Sequence, residues 1–189
     1  MRCIYGTPPC DVASGPSPRN ALYAPAVAGD AAGNVMAVWS GSDPDEEVPA
    51  VVQAARYNAA TGTWSSTIDL AVNEETVLFP VIAGDDRGNV VAAWIRRGAR
   101  RPWIERDNPN RLQVARYSAA TNTWGAAFTI AQADPSGNLQ DLAIAGNASG
   151  EVVMVWTLVD PTTTQGLRRR TLQSARYSAA SGTWRGLST

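Results

Sequence analysis

The chain of 189 residues contains no histidine and no lysine, and all sixteen of its basic residues are arginine. Without imidazole there is no Ser-His-Asp or Cys-His catalysis, no histidine acid–base chemistry and no histidine-ligated zinc. Without lysine there is no Schiff-base chemistry and no phosphate-gripping lysine of a P-loop. Enzymatic chemistry in such a chain would have to run on carboxylates, tyrosine, hydroxyls and arginine. Long apolar runs are also missing, and nothing approaches the ~20 residues that a membrane-spanning helix needs. The formal net charge of −1 gives no general attraction to nucleic acid or to an anionic membrane.

Cysteine is scarce. Cys3 and Cys10 enclose the turn-rich segment IYGTPP, and a short disulfide between them would tie down the N-terminus and imply an oxidising compartment. Two free thiols on a frayed end is the other reading. The N-terminus has no apolar signal-peptide core, as expected if a leader has been removed or if Met1 is not the natural start. An extracellular or periplasmic location is the expectation.

What the chain does have is repetition. VQAARYNAATGTW at residues 52–64 returns as LQVARYSAATNTW at 112–124 and as LQSARYSAASGTW at 172–184. A fixed period of this length marks a chain built from copies of one supersecondary unit, which cannot bury its apolar face alone. Each copy extends upstream: PAVAGD (25–30) matches PVIAGD (80–85) and LAIAGN (142–147). Gly33, Gly88 or Gly150 comes three residues on, followed by NVMAVW (34–39), NVVAAW (89–94) or EVVMVW (151–156).

These segments read as strands. Asp or Asn followed by Gly between two short apolar runs is hairpin chemistry: the acid or amide starts the turn and glycine takes φ > 0. The second run is apolar at successive positions, as in a strand buried on both faces. The third alternates, with Gln53, Ala55 and Tyr57 on one side and Ala54 and Arg56 on the other. A tight turn at 58–62 leads to Thr63-Trp64, which opens a fourth strand. Four short antiparallel strands per repeat is the plan of a propeller blade.

The phrase Tyr57-Asn58-x-x-Thr61-Gly62-x-Trp64 and its counterparts at Tyr117 and Tyr177 resemble the turn between the last two strands of kelch-type blades. The Asp-x-x-Gly-Asn hairpin is similar to repeats of bacterial extracellular propellers. The likeness covers roughly residues 25–184. The chain departs from kelch repeats in lacking their diglycine. It departs from the Asp-box of sialidases in carrying Ala59 at the Asp position and Thr61 at the Gly position. The expected architecture is therefore all-β: an N-terminal extension (1–22) and blades at 23–78, 79–139 and 140–189, the last with an incomplete fourth strand. A β-trefoil, with its threefold pseudosymmetry, is the alternative. Closed propellers have typically 4–8 blades, so self-association to close a ring, or membership of a longer chain, is expected.

In a blade, the first-to-second and third-to-fourth turns share one face, and both are nearly invariant here. The second-to-third loops share the opposite face and diverge. The first is acidic (Asp43, Asp45, Glu46, Glu47), the second basic (Arg96, Arg97, Arg100, Arg101, Arg106, Arg111, with Trp103), and the third ends in Arg168-Arg169-Arg170. Loops on a rigid scaffold are where recognition resides. Arg96, Arg97, Arg100, Arg101, Trp103 and Arg106 form the candidate ligand site, suited to an anion such as a carboxylate, sulfate, phosphate or acidic sugar, with Trp103 as a stacking plate. The simpler reading is a solvated loop paired with Glu105, Asp107 or the acidic first loop. The repeated Trp39/Trp94/Trp156 and Trp64/Trp124/Trp184 read as core rather than as sugar platforms. The repeated Arg56, Arg116 and Arg176 read as structural partners of carbonyls or carboxylates, against a rotationally repeated ligand site.

No catalytic residue, metal site or cofactor is assigned. The favoured function is a non-catalytic module that recognises glycan or protein. The alternatives are a sialidase-like, carboxylate-based glycoside hydrolase, with arginines holding an acidic sugar and a Glu/Tyr pair doing the chemistry (candidates Glu105, Asp107 and the tyrosines), and a purely structural repeat protein.

Overall fold

The computed structural model describes residues 21–42, 50–73, 76–97, 109–134, 137–160 and 169–188. Every regular element among them is a β-strand, and each repeat folds into its own antiparallel sheet. The first contains β1 (Ala21–Gly29), β2 (Val35–Ser42), β3 (Ala50–Asn58), β4 (Thr63–Trp64) and β5 (Ile68–Asn73). The second contains β6 (Thr76–Gly84), β7 (Val90–Arg97), β8 (Arg111–Ser118), β9 (Thr123–Trp124) and β10 (Phe128–Gln132). The third contains β11 (Asn138–Gly146), β12 (Val152–Val159), β13 (Arg170–Ser178) and β14 (Thr183–Ser188). Three separate sheets in chain order, each an up-and-down meander, are propeller-type blades and not a trefoil.

The fourth strand differs from expectation in the first two blades, where it is split. β4 and β5 both pair with β3, and β9 and β10 both pair with β8. The break falls on Ser65-Ser66-Thr67 and on Gly125-Ala126-Ala127, and glycine and alanine are depleted in strands. Ser65 also offers its own bonds, its Oγ accepting from the Arg56 N–H at 3.0 Å and donating to the Ser66 carbonyl at 2.9 Å. In the third blade the strand continues, with a register shift between Ser174 and Arg176 and Gly186 at φ 75°.

The core lies between the sheets. Met36, Val38, Val52 and Ala54 of the first meet Ile82, Val90, Ala92, Trp94 and Tyr117 of the second. From the second sheet's other face, Val91, Ala93, Leu112 and Val114 meet Leu139, Val152, Met154 and Trp156 of the third. The middle sheet is covered on both sides, which is why β7 is apolar at successive positions. The sheet-edge strands β1, β6 and β11 stand next to one another, and their last residues approach closely. A Cβ on Gly84 would lie 3.3 Å from the Gly29 carbonyl oxygen, and one on Gly146 would lie 3.1 Å from the Ala83 Cβ. These three strands line the centre.

Each of them carries a two-residue bulge at the same height. Ala24-Pro25 faces Trp39, Phe79-Pro80 faces Trp94, and Asp141-Leu142 faces Trp156, each pair of residues opposite a single partner. Proline is accommodated in the first two because a bulge frees the chain from donating to the ladder. The tryptophan opposite the bulge is held from its other side: its indole N–H donates to Gln53, Gln113 or Gln173 at 3.1, 3.2 and 2.8 Å. Trp94 and Trp156 are fully buried, so these indoles belong to the core. Replacing Trp94 with alanine is expected to destabilise the chain by about 3–5 kcal/mol, read as a fall in the denaturant midpoint.

Candidate functional site

The two ends of the blades are built differently. At the constant end, each first-to-second turn is organised by one acidic or amide side chain. Asp30 Oδ1 accepts from the Ala32 and Asn34 N–H groups at 2.9 and 2.8 Å, and Oδ2 accepts from Asn34 Nδ2 at 2.8 Å. Asp85 repeats this with Arg87 and Asn89. Asn34 and Asn89 then accept from the Ala59 and Ala119 N–H groups, both at 3.1 Å, tying this turn to the third-to-fourth turn. In the third blade the charge has moved. Asn147 organises the turn, and Glu151 makes the link, accepting from the Ala179 N–H at 3.0 Å and from Arg176 at 2.9 Å.

The same turns join the blades. Asp30 Oδ2 would stand 2.8 Å from a Cβ on Gly88, and Asp85 Oδ2 would stand 2.9 Å from a Cβ on Gly150. Both glycines have positive φ, 82° and 86°. Long hydrogen bonds run alongside, from the Ala31 N–H to the Asp86 carbonyl and from the Asp86 N–H to the Ala148 carbonyl, both 3.4 Å. The repeated arginines serve this assembly. Arg56 lies 3.8 Å from Asp30, Arg176 bonds Glu151, and Arg116 sits 5.5 Å over the ring of Tyr177 in the next blade. Tyr57, Tyr117 and Tyr177 in turn pack against Trp64, Trp124 and Trp184 at 5.4–5.6 Å. The constant end is a joint whose polar groups are largely occupied by one another.

At the opposite end the described residues are the ends of the strands. Arg96 and Arg97 sit half-buried at the end of β7, with Arg96 paired in register with Arg111 across the ladder and Arg97 with Thr76. Arg111 donates from Nε to Gln132 at 3.1 Å. On the third blade Arg169 and Arg170 are exposed. Of the candidate ligand residues, the structure thus places Arg96 and Arg97 at this end. Arg100, Arg101, Trp103 and Arg106 lie outside the described residues, as do Glu105, Asp107, Arg168, the acidic first loop and both cysteines. Among the described residues no group of three or more acidic or cysteine side chains is arranged to hold a metal.

The central strands add residues that the sequence did not single out. Ala24, Phe79 and Asp141, the first residue of each bulge, have φ of 49°, 49° and 55°. Non-glycine residues rarely take this conformation, and where it recurs it marks strain that the surrounding structure enforces. The three bulges lie in the half of each strand nearer the variable loops. Phe79 is 53% exposed and the Asp141 side chain is exposed too. An aromatic face and a carboxylate therefore stand at equivalent positions on neighbouring central strands, on the side where the arginines gather. The one sequence signal was divergence: the residue before Pro25, Pro80 and Leu142 is Ala, Phe or Asp in an otherwise repeated segment.

No protein-family model matches the sequence, and no curated protein does. Solved structures do match. A Hadza microbial sialidase superposes with a TM-score of 0.59 at 14% identity, over 87% of this chain and 36% of its own. A protein of unknown function from Dyadobacter fermentans gives 0.56 at 11% identity, over 87% and 53%. An α-L-arabinofuranosidase from Fusarium graminearum gives 0.54 at 12% identity, over 82% and 45%. At these identities the likeness is one of fold: propeller-type blades, of which this chain spans about a third to a half of the length of its neighbours.

Two outcomes test the joint. Gly88→Ala should destabilise by about 1–3 kcal/mol, and by more than Gly33→Ala. Both positions have positive φ, but among the described residues a Cβ on Gly33 would meet only Ala59, at 3.4 Å; thermal melts of the two variants read the difference. The second outcome concerns acid. The Arg176 hydrogen bond holds the Glu151 carboxyl below its usual range, against a smaller cost of desolvation. At Asp30 desolvation is the largest single influence, yet the bonds from Asn34 and Ala32 and the Arg56 charge outweigh it and lower the carboxyl. Groups lowered on folding contribute stability above their unfolded pKa and lose it as pH falls through the folded value. The melting temperature should therefore drop below about pH 4, and less steeply in Asp30→Asn/Glu151→Gln.

Proposed function

We propose that the chain is a non-catalytic glycan-recognition module that takes an acidic sugar at its variable-loop end. The observation that carries this reading is the exposed pair Phe79 and Asp141, held at strained bulges of adjacent central strands on the same side as Arg96, Arg97 and Arg170. Phe79 offers an apolar plate for a sugar ring, Asp141 accepts from hydroxyls, and the arginines pair with the acid group through charge-assisted bonds. The names of two similar structures, a sialidase and an arabinofuranosidase, support sugars as the ligand class. An extracellular or periplasmic setting suits such a ligand. Among the described residues no helix is long and apolar enough to cross a membrane.

A glycoside hydrolase is the second reading, favoured by the Asp141 carboxylate at the centre. Most glycoside hydrolases use a pair of carboxyl groups roughly 5–9.5 Å apart, whereas sialidases use a tyrosine nucleophile beside a carboxylate. The equivalent bulge positions on the other two central strands carry Ala24 and Phe79, neither of them acidic.

An array of neutral, sialylated and uronate-containing glycans, probed at low and moderate salt, tests the proposal. Binding to acidic glycans is expected. It should weaken as salt rises, because exposed charges are screened over ~10 Å at 0.1 M. Phe79→Ala should weaken binding about tenfold, and Arg96→Ala/Arg97→Ala should remove the preference for acidic glycans without unfolding the chain. Equal binding by all variants would refute the assignment, and turnover of fluorogenic glycosides lost in Asp141→Asn would favour the hydrolase.

A further inference from the structure

The two seams between blades are alike in plan and unlike in chemistry. At the outer rim of each, the last strand of the leading blade sets out one apolar side chain, Ile68 at the first seam and Phe128 at the second, 45% and 46% exposed. Phe128 stands directly opposite Val114, which packs into the core shared with the third blade, so the ring projects from that same face of the sheet. Ile68 is equally exposed beside a blade that carries both halves of its fourth strand. The exposure is therefore a property of the rim.

One exposed phenylalanine is ordinary on a protein surface, but two further observations set the second seam apart. The first is a cation. Of the three repeated arginines, Arg56 lies by Asp30 and Arg176 bonds Glu151, whereas Arg116 has no carboxylate within ion-pair distance among the described residues. Arg116 is exposed, two residues along β8 from Val114 and so on the same face, with its guanidinium 5.5 Å over the ring of Tyr177. The second is an edge. β10 is the outermost strand of its sheet and pairs only with β8, which leaves its other side able to take a further strand. All three outer strands have a register shift, and two carry a charge that guards the edge as well: the exposed Asp69 on β5 and the exposed Arg185 on β14. β10, FTIAQ, has no charge and no proline.

We infer that the rim of the second seam binds an extended acidic segment of a partner protein, laid along β10 as an added strand. Main-chain hydrogen bonds to the edge would supply affinity, and alternate side chains would supply specificity. An apolar side chain would cover Phe128, and a carboxylate two positions away, on the same face, would pair with Arg116. Charge selects the partner. From Pro109 to Ala133 the only charged residues are Arg111 and Arg116, so two copies edge to edge would bring like charges together, while an acidic strand is attracted. The site lies on the outer strand, apart from the central strands that carry Phe79 and Asp141.

Fluorescence polarisation with the labelled peptide TITETITE, which places apolar and acidic side chains two apart, and with TITKTITK tests this. The acidic peptide should bind, less tightly as salt rises, and the basic one should bind at least about tenfold more weakly. Phe128→Ser should weaken binding about tenfold with an unchanged melting temperature, since the side chain is exposed. Arg116→Glu should reverse the preference in favour of TITKTITK, which a loss of fold would not do. Amide exchange over Phe128–Gln132 should slow when TITETITE is bound. Absent binding of TITETITE, equal binding of the two peptides, full binding by Phe128→Ser or unchanged exchange along β10 overturns the proposal. So does wild-type self-association that Phe128→Ser removes while neither peptide binds, which would give the edge to a second copy.

Discussion

Everything in this structure depends on one close approach, the carboxylate of one blade's turn set against the glycine α-carbon of the next. At Asp30–Gly88 and Asp85–Gly150 a β-carbon would stand within 2.9 Å of the carboxylate oxygen, so only glycine allows the blades to meet at that distance. The same carboxylates already order their own turns through backbone and Asn34 or Asn89 hydrogen bonds. A single side chain thus closes a hairpin and seats a neighbour, and the apolar faces behind it are brought into register. That double duty explains why Asp-x-x-Gly recurs in the two blades that have a following neighbour in this chain, with Asn147 in its place in the third, while the opposite end of the blade is free to vary.

Placing the structural work at one end has a consequence for the other. The central strands must pass from the constant joint to the variable loops around a bulky, buried indole. They do so by inserting an extra residue opposite Trp39, Trp94 and Trp156. The bulge re-aims whatever side chain stands at its first position, and in the second and third blades these are Phe79 and Asp141. Core packing and a recognition surface are in this way two sides of one backbone irregularity.

Much of this was legible in the sequence, and the remainder was hidden for identifiable reasons. The strands, the turns with Gly33, Gly88 and Gly150, and the core role of the tryptophans followed from repetition and periodicity, because each repeats the same local chemistry. The role of Arg56 and Arg176 as partners of carboxylates was also readable, although Arg116 reaches instead to Tyr177 of the next blade, a contact set by packing between repeats. The split fourth strand was missed because Ser65-Ser66-Thr67 and Gly125-Ala126-Ala127 differ in sequence while breaking the ladder alike. The bulges were missed for a stronger reason. Proline biases the residue before it toward extended conformations, so Ala24 and Phe79 gave no hint of positive φ, and Asp141 lacks even the proline. That conformation goes with the bulge opposite Trp39, Trp94 and Trp156, a feature of the strand pairing that the local sequence does not carry.

The division of labour between the two ends is most directly tested by hydrogen exchange with and without an acidic oligosaccharide. Slowed exchange should be confined to the variable-loop half: the central strands around residues 78–80 and 140–142 and the ends of β7 and β13. The turns at 30–34, 85–89 and 147–151 should exchange at unchanged rates. Protection appearing at those turns instead would mean that the Asp-x-x-Gly joint, and not the bulged central strands, is where the ligand binds.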